Sequence, residues 1–490
     1  MKKLLTKLIY LLLILSVICF TSVGCETSKD IMSEEVTPLT KPLDEVTLTF
    51  YFFGSSSYLP LSFDKVRQEI ELQAKDAVNV KLDFRWISST SFNNEIKTLI
   101  SSGETFDAFE VMRFNEIKGW DCLLDISKIF PQNAPVLFSK FSGEEIEQAS
   151  YNGKIVAVPR CVPNSNRICA TVNEDLMKKY NIPEIKTYND FEFYMKTLKQ
   201  NETKYEPMYT SHGTIDLFAE YYGYTQFMGN IVYRWEDTEM KLIPWEQTPE
   251  FRQAYDTLKR WQLYGYMNTP YEINTYFGGP ILFLESMNFA SGLVNNRRLR
   301  LGVNSKLFPL YFDRIASRAP VQMSIAFNKN AANPGRTMMF LEWVHSSQKN
   351  YDLFMYGQEG KDYQLQDQRI KLLDTYIPYA WWYGSEAFED IDYIRPAITA
   401  PKGYKEQFKK IFTQGTQYPP HTGFVLDNEE LKTMIDGRNS VFVKMENSIR
   451  NKTFIWTADS FITQQKEAGV DGLVSVLQKK LDEWRAANNK

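Results

Sequence analysis

The sequence predicts an α/β protein built as two lobes, and three observations predict it. With an N-terminal leader set aside, about 466 of the 490 residues remain, more than one hydrophobic core usually serves. Between Val46 and Val111 the apolar pattern switches back and forth between a period of two and a helical period, which is the signature of strands alternating with helices. Pro159 and Pro163 then interrupt regular structure within five residues, beyond that alternating stretch.

The first folded stretch, Val46 to Phe53, sets Val46, Leu48, Phe50 and Phe52 against Thr47, Thr49 and Tyr51, which is strand period. Gly54 to Ser57 reads as a turn. A helix from about Ser62 places Phe63, Val66, Ile70 and Ala77 on one face. Val78 to Trp86 alternates again, with Val78, Val80, Leu82, Phe84 and Trp86 pointing inward. A second helix carries Phe92, Ile96, Leu99 and Ile100, and a short strand follows near Phe106 to Val111. This β-α-β-α-β order implies parallel strands, with a ligand site beyond their carboxyl ends at Gly54 to Tyr58, Trp86 to Ser88 and Met112 to Asn115. None of those ends holds a phosphate loop: GxxxxGK[ST], GxGxxG and GxSxG are all missing from the chain. At the other end, Val470, Leu473, Val474, Leu477, Leu481 and Trp484 recur at helical spacing and predict a docking face rather than a site.

The N-terminus starts basic with Lys2, Lys3 and Lys7, runs apolar from Leu8 to Phe20, and reaches Cys25 through the small residues Thr21 to Gly24. This resembles a bacterial lipoprotein signal, with residues 1–24 removed and Cys25 lipidated, although Ser22 stands where that pattern usually has Leu. Two acyl chains on one cysteine would hold a protein to a membrane where one would not. Glu26 to Leu43 is polar, carries Pro38 and Pro42, and reads as a flexible tether, so that residues 25–44 form a lipid-anchored linker on the outer face of the cell membrane.

A hydrophobic content of 43% with 14% aromatics excludes a disordered chain. The formal charge is −4, about −7 without the three leader lysines, and the charges are mixed along the chain. That leaves no footprint for nucleic acid, which needs clustered Lys and Arg. Cys122, Cys161 and Cys169 read as plain core thiols, with a Cys161–Cys169 bridge as the alternative. His212, His345 and His421 are far apart, with no HExxH, CxxC or acidic calcium loop, so neither a metal nor another cofactor is expected.

Several stretches occur in a telling order. They are the strand ending in Gly54, Leu99 to Asp107, Tyr151 to Pro159, Val172 to Tyr180 leading into Thr187 to Phe191, Ile325 to Lys329, Tyr356 to Tyr363, Thr422 to Asp427 and Ala468 to Gly472. In this order the chain resembles the extracellular solute-binding proteins, family 1, of carbohydrate-type ABC importers. The resemblance implies the two-lobed periplasmic-binding-protein-like fold of type II, with a ligand cleft between lobes. It places lobe one at residues 45–162 with a return at 310–347, and lobe two at 163–309 with 348–490. It further implies a monomer that hands a saccharide to ABC permease subunits and is no enzyme. Asp374 to Ile398 is unusually aromatic and lies outside the resemblance.

A saccharide site needs flat aromatic rings beside forked donors and carboxylates. On lobe one the candidates are Ser55, Ser56 and Tyr58 after the first strand, and Met112, Arg113 and Asn115 after the third; the serines equally suit a plain turn. Arg160 lies at the expected crossing as a candidate contact, and nearby Arg167 suits a structural pairing better. On lobe two Phe283 to Asn288 resembles the family strand whose end presents polar and aromatic groups to the cleft, which implies Glu285 and Asn288 as candidates. Trp261 and Tyr264 would line the cleft, although a helical aromatic is more often core. Trp381 and Trp382, in the densest aromatic run, form either a stacking platform or a plug between lobes. Two other classes of function stay open at this point, an extracellular glycoside hydrolase with paired carboxylates and a lipoprotein sensor or adhesin.

Overall fold

The computed structural model describes residues 43–490 apart from 57–58, 89, 112–113, 164, 203–207, 210–213, 269–282, 289–304, 311–315, 318–322, 374–385, 397, 399–402, 425, 427–428 and 489–490. Cys25, the leader and nearly all of the tether lie outside the described residues, as do Tyr58, Met112, Arg113, Trp381 and Trp382.

The chain begins with β1 (Val46–Phe53), α1 (Phe63–Ala74), β2 (Val80–Ile87), α2 (Phe92–Ser101) and β3 (Ala108–Val111), the order its periodicity predicts. Ala77 departs from that reading. It lies past the end of α1 and is exposed, while Ala74 takes the buried position. β1 pairs in parallel with β2 on one side and β3 on the other. As an interior strand it is covered on both faces, so Thr49 and Tyr51 are buried although the alternation assigns them to solvent. Leu48, Phe50 and Phe52 face one core with Val66 and Ile70 of α1. Tyr51 faces the other with Ile96 and Ile100 of α2.

β4 (Ala157–Pro159) closes this region before the chain crosses to a second sheet. That sheet comprises β5 (Asn166–Asn173), β6 (Met208–Tyr209), β7 (Met267–Asn268), β8 (Phe283–Asn288) and β9 (Ser305–Pro309) in the order β7-β6-β8-β5-β9. β5 lies between β8 and β9 and runs antiparallel to both. Its separate core draws on α3 (Tyr188–Asn201), α4 (Thr214–Tyr221) and α5 (Pro249–Leu263), through residues such as Phe191, Tyr194, Phe218, Phe251 and Trp261.

The chain then returns to the first sheet as β10 (Ser324–Phe327), which lies antiparallel between β3 and β4 and completes the order β2-β1-β3-β10-β4. Two separate cores under two sheets make a two-lobed body, as the sequence predicts.

The lobe boundaries differ from the expected ones. Helices α6 (Pro334–Val344) and α7 (Gln348–Tyr356) form one packed pair on lobe one: Phe354 of α7 meets Phe340 at 6.0 Å and Phe84 at 6.4 Å. Ala387 and Phe388 join the same core, with Phe388 ring-to-ring with Phe354 at 4.5 Å and with Phe50 at 6.5 Å. Lobe one therefore extends from the return strand to about Tyr393, rather than stopping at Ser347, because α7 has its apolar face on α6 and on the sheet. Leu310, placed by the resemblance at the start of the return, packs in the second core.

Helix α8 (Tyr404–Thr413) starts the final passage into lobe two. There α9 (Glu429–Arg450), α10 (Ala458–Glu467) and α11 (Val470–Asn488) complete the chain. The α11 face forms as its spacing predicts: Leu473, Leu477 and Leu481 are buried against Ile231, Tyr233 and Leu242, with Val474 and Trp484 partly buried beside them. Cys122, Cys161 and Cys169 are buried free thiols, so no bridge joins Cys161 to Cys169. Among the described residues no helix is long and apolar enough to cross a membrane.

Candidate functional site

The carboxyl ends of β1, β2, β3 and β4 all lie at one edge of the first sheet, because β4 and β3 both run opposite to the β10 strand between them. Ser324, the first residue of β10, pairs with Val111 on one side and Pro159 on the other, and is itself buried. Arg160 is the next residue beyond that edge, and its backbone N–H donates to Met323 O at 3.4 Å. Glu110, beside the edge on β3, is buried too.

The segment that follows the aromatic run is fastened over this edge. Residues Glu386–Phe388 form one turn of 3-10 helix, and Phe388 is sunk in the lobe-one core. Cys161 N–H donates to Glu389 O at 2.9 Å, and Ile391 N–H donates to Cys161 O at 2.8 Å, so the crossing strand and residues 389–391 are stitched together. This brings two carboxylates to one guanidinium: Arg160 Nη1 stands 3.5 Å from Glu389 Oε2 and 3.7 Å from Glu386 Oε2.

The three groups differ in exposure, and that decides what each does. Arg160 and Glu389 side chains are 4% and 1% exposed, whereas Glu386 is 26% exposed. Burial pushes the Glu389 carboxyl up to about 8; the Arg160 charge opposes that and the Glu386 charge adds to it. At neutral pH Glu389 is therefore mostly protonated, and Arg160 is left to balance the open Glu386 carboxylate. A carboxylate held at a strand edge by a buried arginine accepts hydrogen bonds from hydroxyls, and the segment entering it from the amino side is the aromatic run 374–385.

Of the residues expected from sequence, Arg160 lies at the centre of this cluster. Ser55 is half-buried and Ser56 exposed, both after β1 at the same edge of the sheet. Asn115 falls in a short helix, Phe114–Ile117, directly after β3. Glu285 and Asn288 lie on β8, paired in register with Cys169 and Asn166. Trp261 is not a cleft residue. It is fully buried in the lobe-two core, with ring centroids 5.7 Å from Phe191 and 5.9 Å from Phe218, because its side of α5 carries the helix's apolar stripe. Its neighbour Tyr264, just past the helix, is 57% exposed. Arg167 is structural, as its surroundings suggested: its Nε donates to Ile411 O at 2.6 Å and its Nη2 to Gln414 O, tying β5 to α8.

Glu110, Glu386 and Glu389 were not singled out by sequence. The only available signal was that Glu386 and Glu389 directly follow the aromatic run. A cavity of about 560 Å³ lies elsewhere, at the final passage into lobe two, lined by Gln348, Gln368, Tyr393 and Lys405 among others. Its Arg395 is already held by Asp352, which accepts from Nε at 2.9 and 2.8 Å.

Fold and edge together define a two-lobed α/β body with the fold of periplasmic binding proteins, and comparison with known proteins agrees on that fold. No family model matches the sequence. Over 462 residues, 90% of this chain and 91% of the relative, it is 20% identical to a carbohydrate ABC transporter substrate-binding protein of Streptococcus pneumoniae. Among solved structures it resembles the N-glycan transport solute binding protein NgtS of Streptococcus pneumoniae, with a TM-score of 0.71 and 18% identity over 92% of this chain and all of that one. The same protein in complex with Man5GlcNAc gives a TM-score of 0.65 at 18% identity, covering 92% of this chain and 100% of that chain. The ABC substrate-binding protein Lmo0181 of Listeria monocytogenes, in complex with cycloalternan, gives 0.55 at 14% identity, covering 89% of this chain and 99% of that one. The chain thus has the fold shared by these carbohydrate-binding proteins along nearly its whole length.

Proposed function

We propose that this protein is a membrane-tethered substrate-binding protein of an ABC importer, which takes a saccharide between its lobes and delivers it to a permease. The observation that carries the reading is the Arg160–Glu386–Glu389 cluster, fastened at the carboxyl edge of the lobe-one sheet and entered from an aromatic run. Glu386 accepts sugar hydroxyls, Arg160 holds it in place, and Trp381 or Trp382 stacks on a ring face. Ser55, Ser56, Tyr58, Met112, Arg113 and Asn115 complete the lobe-one edge, with Glu285 and Asn288 answering from lobe two. A ligand touching both lobes selects the closed form, and that form docks on the permease. Cys25 carries the lipid that keeps the monomer on the outer face of the membrane.

Mannose- and N-acetylglucosamine-containing glycans are the first probes, since NgtS is solved with Man5GlcNAc. Calorimetric titration of the soluble body with Man5GlcNAc and with a panel of glucans and fructans tests the reading. The expected result is saturable binding of at least one saccharide, a change in tryptophan fluorescence, and unchanged saccharide on recovery. Release of a shortened sugar would instead establish the hydrolase reading.

A further inference from the structure

Beneath the candidate site, three residues far apart in sequence meet. Cys161 sits on the crossing strand, His345 caps the carboxyl end of α6, and Asp390 follows the turn that carries Glu386 and Glu389. One potential ligand atom from each lies within 4.8 Å of the other two, and all three residues are buried at 8%, 5% and 0% exposure. His345 Nδ1 is 2.9 Å from Asp390 Oδ2.

That oxygen already holds a cation, the Lys140 ammonium at 2.7 Å. Asp390 Oδ1 accepts from Asp392 N–H at 2.9 Å, so the aspartate is fixed on one side and pairs with cationic or polar donors on the other. Burial works against the Asp390 charge, yet the His345 and Lys140 contacts hold the carboxyl below its usual range. Lys140 is replaceable. Its side chain is 17% exposed, the least buried of the four, and a second acidic partner, Asp392, stands 3.5 Å away.

We propose that Cys161, His345 and Asp390 form a zinc site, which an ion enters by displacing the Lys140 ammonium from Asp390 onto Asp392. One sulfur, one imidazole nitrogen and one carboxylate oxygen are a donor set for zinc, whereas calcium and magnesium take oxygen alone. On binding, the Cys161 thiol gives its proton to solvent and becomes a thiolate, the imidazole ligates through a nitrogen that carries no proton, with any proton that nitrogen held passing to solvent, and water fills the fourth position. Burial pushes the free thiol up, so the metal must displace that proton. The ion would tie the crossing strand, the end of α6 and the turn of Glu386 and Glu389 into one unit.

The test uses the chelator-treated soluble body in zinc titrations followed by equilibrium dialysis and elemental analysis, with cobalt(II) as a spectroscopic substitute. The expected outcome is one zinc per chain, a raised melting temperature, and a thiolate-to-cobalt charge-transfer band in the near ultraviolet. Cys161→Ser, which keeps the size of the side chain, should lose the band and weaken zinc by at least about tenfold. Lys140→Met removes the competitor and should tighten zinc. Substoichiometric zinc in the wild type overturns the proposal, and so does equal affinity in Cys161→Ser or a fall in affinity in Lys140→Met.

Discussion

Each lobe buries an arginine against glutamate, and the two pairs are built differently. In lobe two, Arg438 Nη2 donates to Glu246 Oε2 at 2.5 Å and to Asn230 O at 3.1 Å, with both side chains 1% exposed or less. In lobe one, Arg160 stands 3.5 and 3.7 Å from two carboxylates, and one of them opens to solvent. The tight pair joins α9 to the turn before α5 in the middle of a core, closed off from solvent. The loose cluster lies at a sheet edge, where one guanidinium faces two glutamates and the side chain of one, Glu386, reaches solvent. Geometry therefore separates the two better than residue type does: one is a closed pair inside a core, and the other an open cluster at a strand edge, where the proposed function puts the ligand.

Variants break or sharpen that contrast. The largest effects belong to lobe two and should be losses of stability. Trp261→Ala empties a fully buried aromatic position and should cost about 3–5 kcal/mol in urea unfolding. Arg438→Ala strands Glu246 and should cost a similar amount, about 3–5 kcal/mol, with saccharide affinity unchanged at temperatures where the variant stays folded. Weaker binding in a folded Arg438→Ala protein would undo the contrast.

The next effect belongs to lobe one and should appear in binding. Glu386→Ala should weaken the saccharide by about 1.5–3 kcal/mol in calorimetry, the worth of a charged hydrogen bond, and leave the melting temperature nearly unchanged. Arg160→Gln should be milder in stability than Arg438→Ala, about 1 kcal/mol, because the carboxylate it leaves, Glu386, is 26% exposed and solvated rather than buried.

The smallest effect is one of pH. Glu389 is raised in the folded state to about 8 against about 4.3 in an unfolded chain. Its contribution is fully present below the unfolded value and is lost as pH rises to about 8, so the wild type should lose stability across that window. In Glu389→Gln the unfolding free energy should be flatter over the same range, by about 1 kcal/mol or more. An identical slope in both proteins would remove Glu389 from the account.

The strand and helix order of lobe one was legible in sequence because each element there carries its own period, whereas the crossing near Pro159 to Asn164 came from the family resemblance, with two prolines breaking regular structure at the same place. Which lobe owns α7 was not. Its apolar face declares that it packs but not on what, and only the contacts of Phe354 with Phe340 and Phe84 decide it. The site was half legible for the same reason. Arg160 stands beside a proline that marks the crossing, whereas Glu386 and Glu389 are acidic residues without a pattern, and the chain path brings them there. The three histidines looked scattered, yet His345 meets an aspartate 45 residues on and a cysteine from another part of the fold. Trp261 shows the opposite error, an aromatic chosen for its chemistry whose helical position had already assigned it to the core.

Phe388 fills the lobe-one core between Phe50 and Phe354. A chain made from its N-terminus therefore has β1 and α1 long before it has the residue that seals them. Until synthesis has passed Phe388, beyond all of β5 to β10, the first lobe has an unfinished interior.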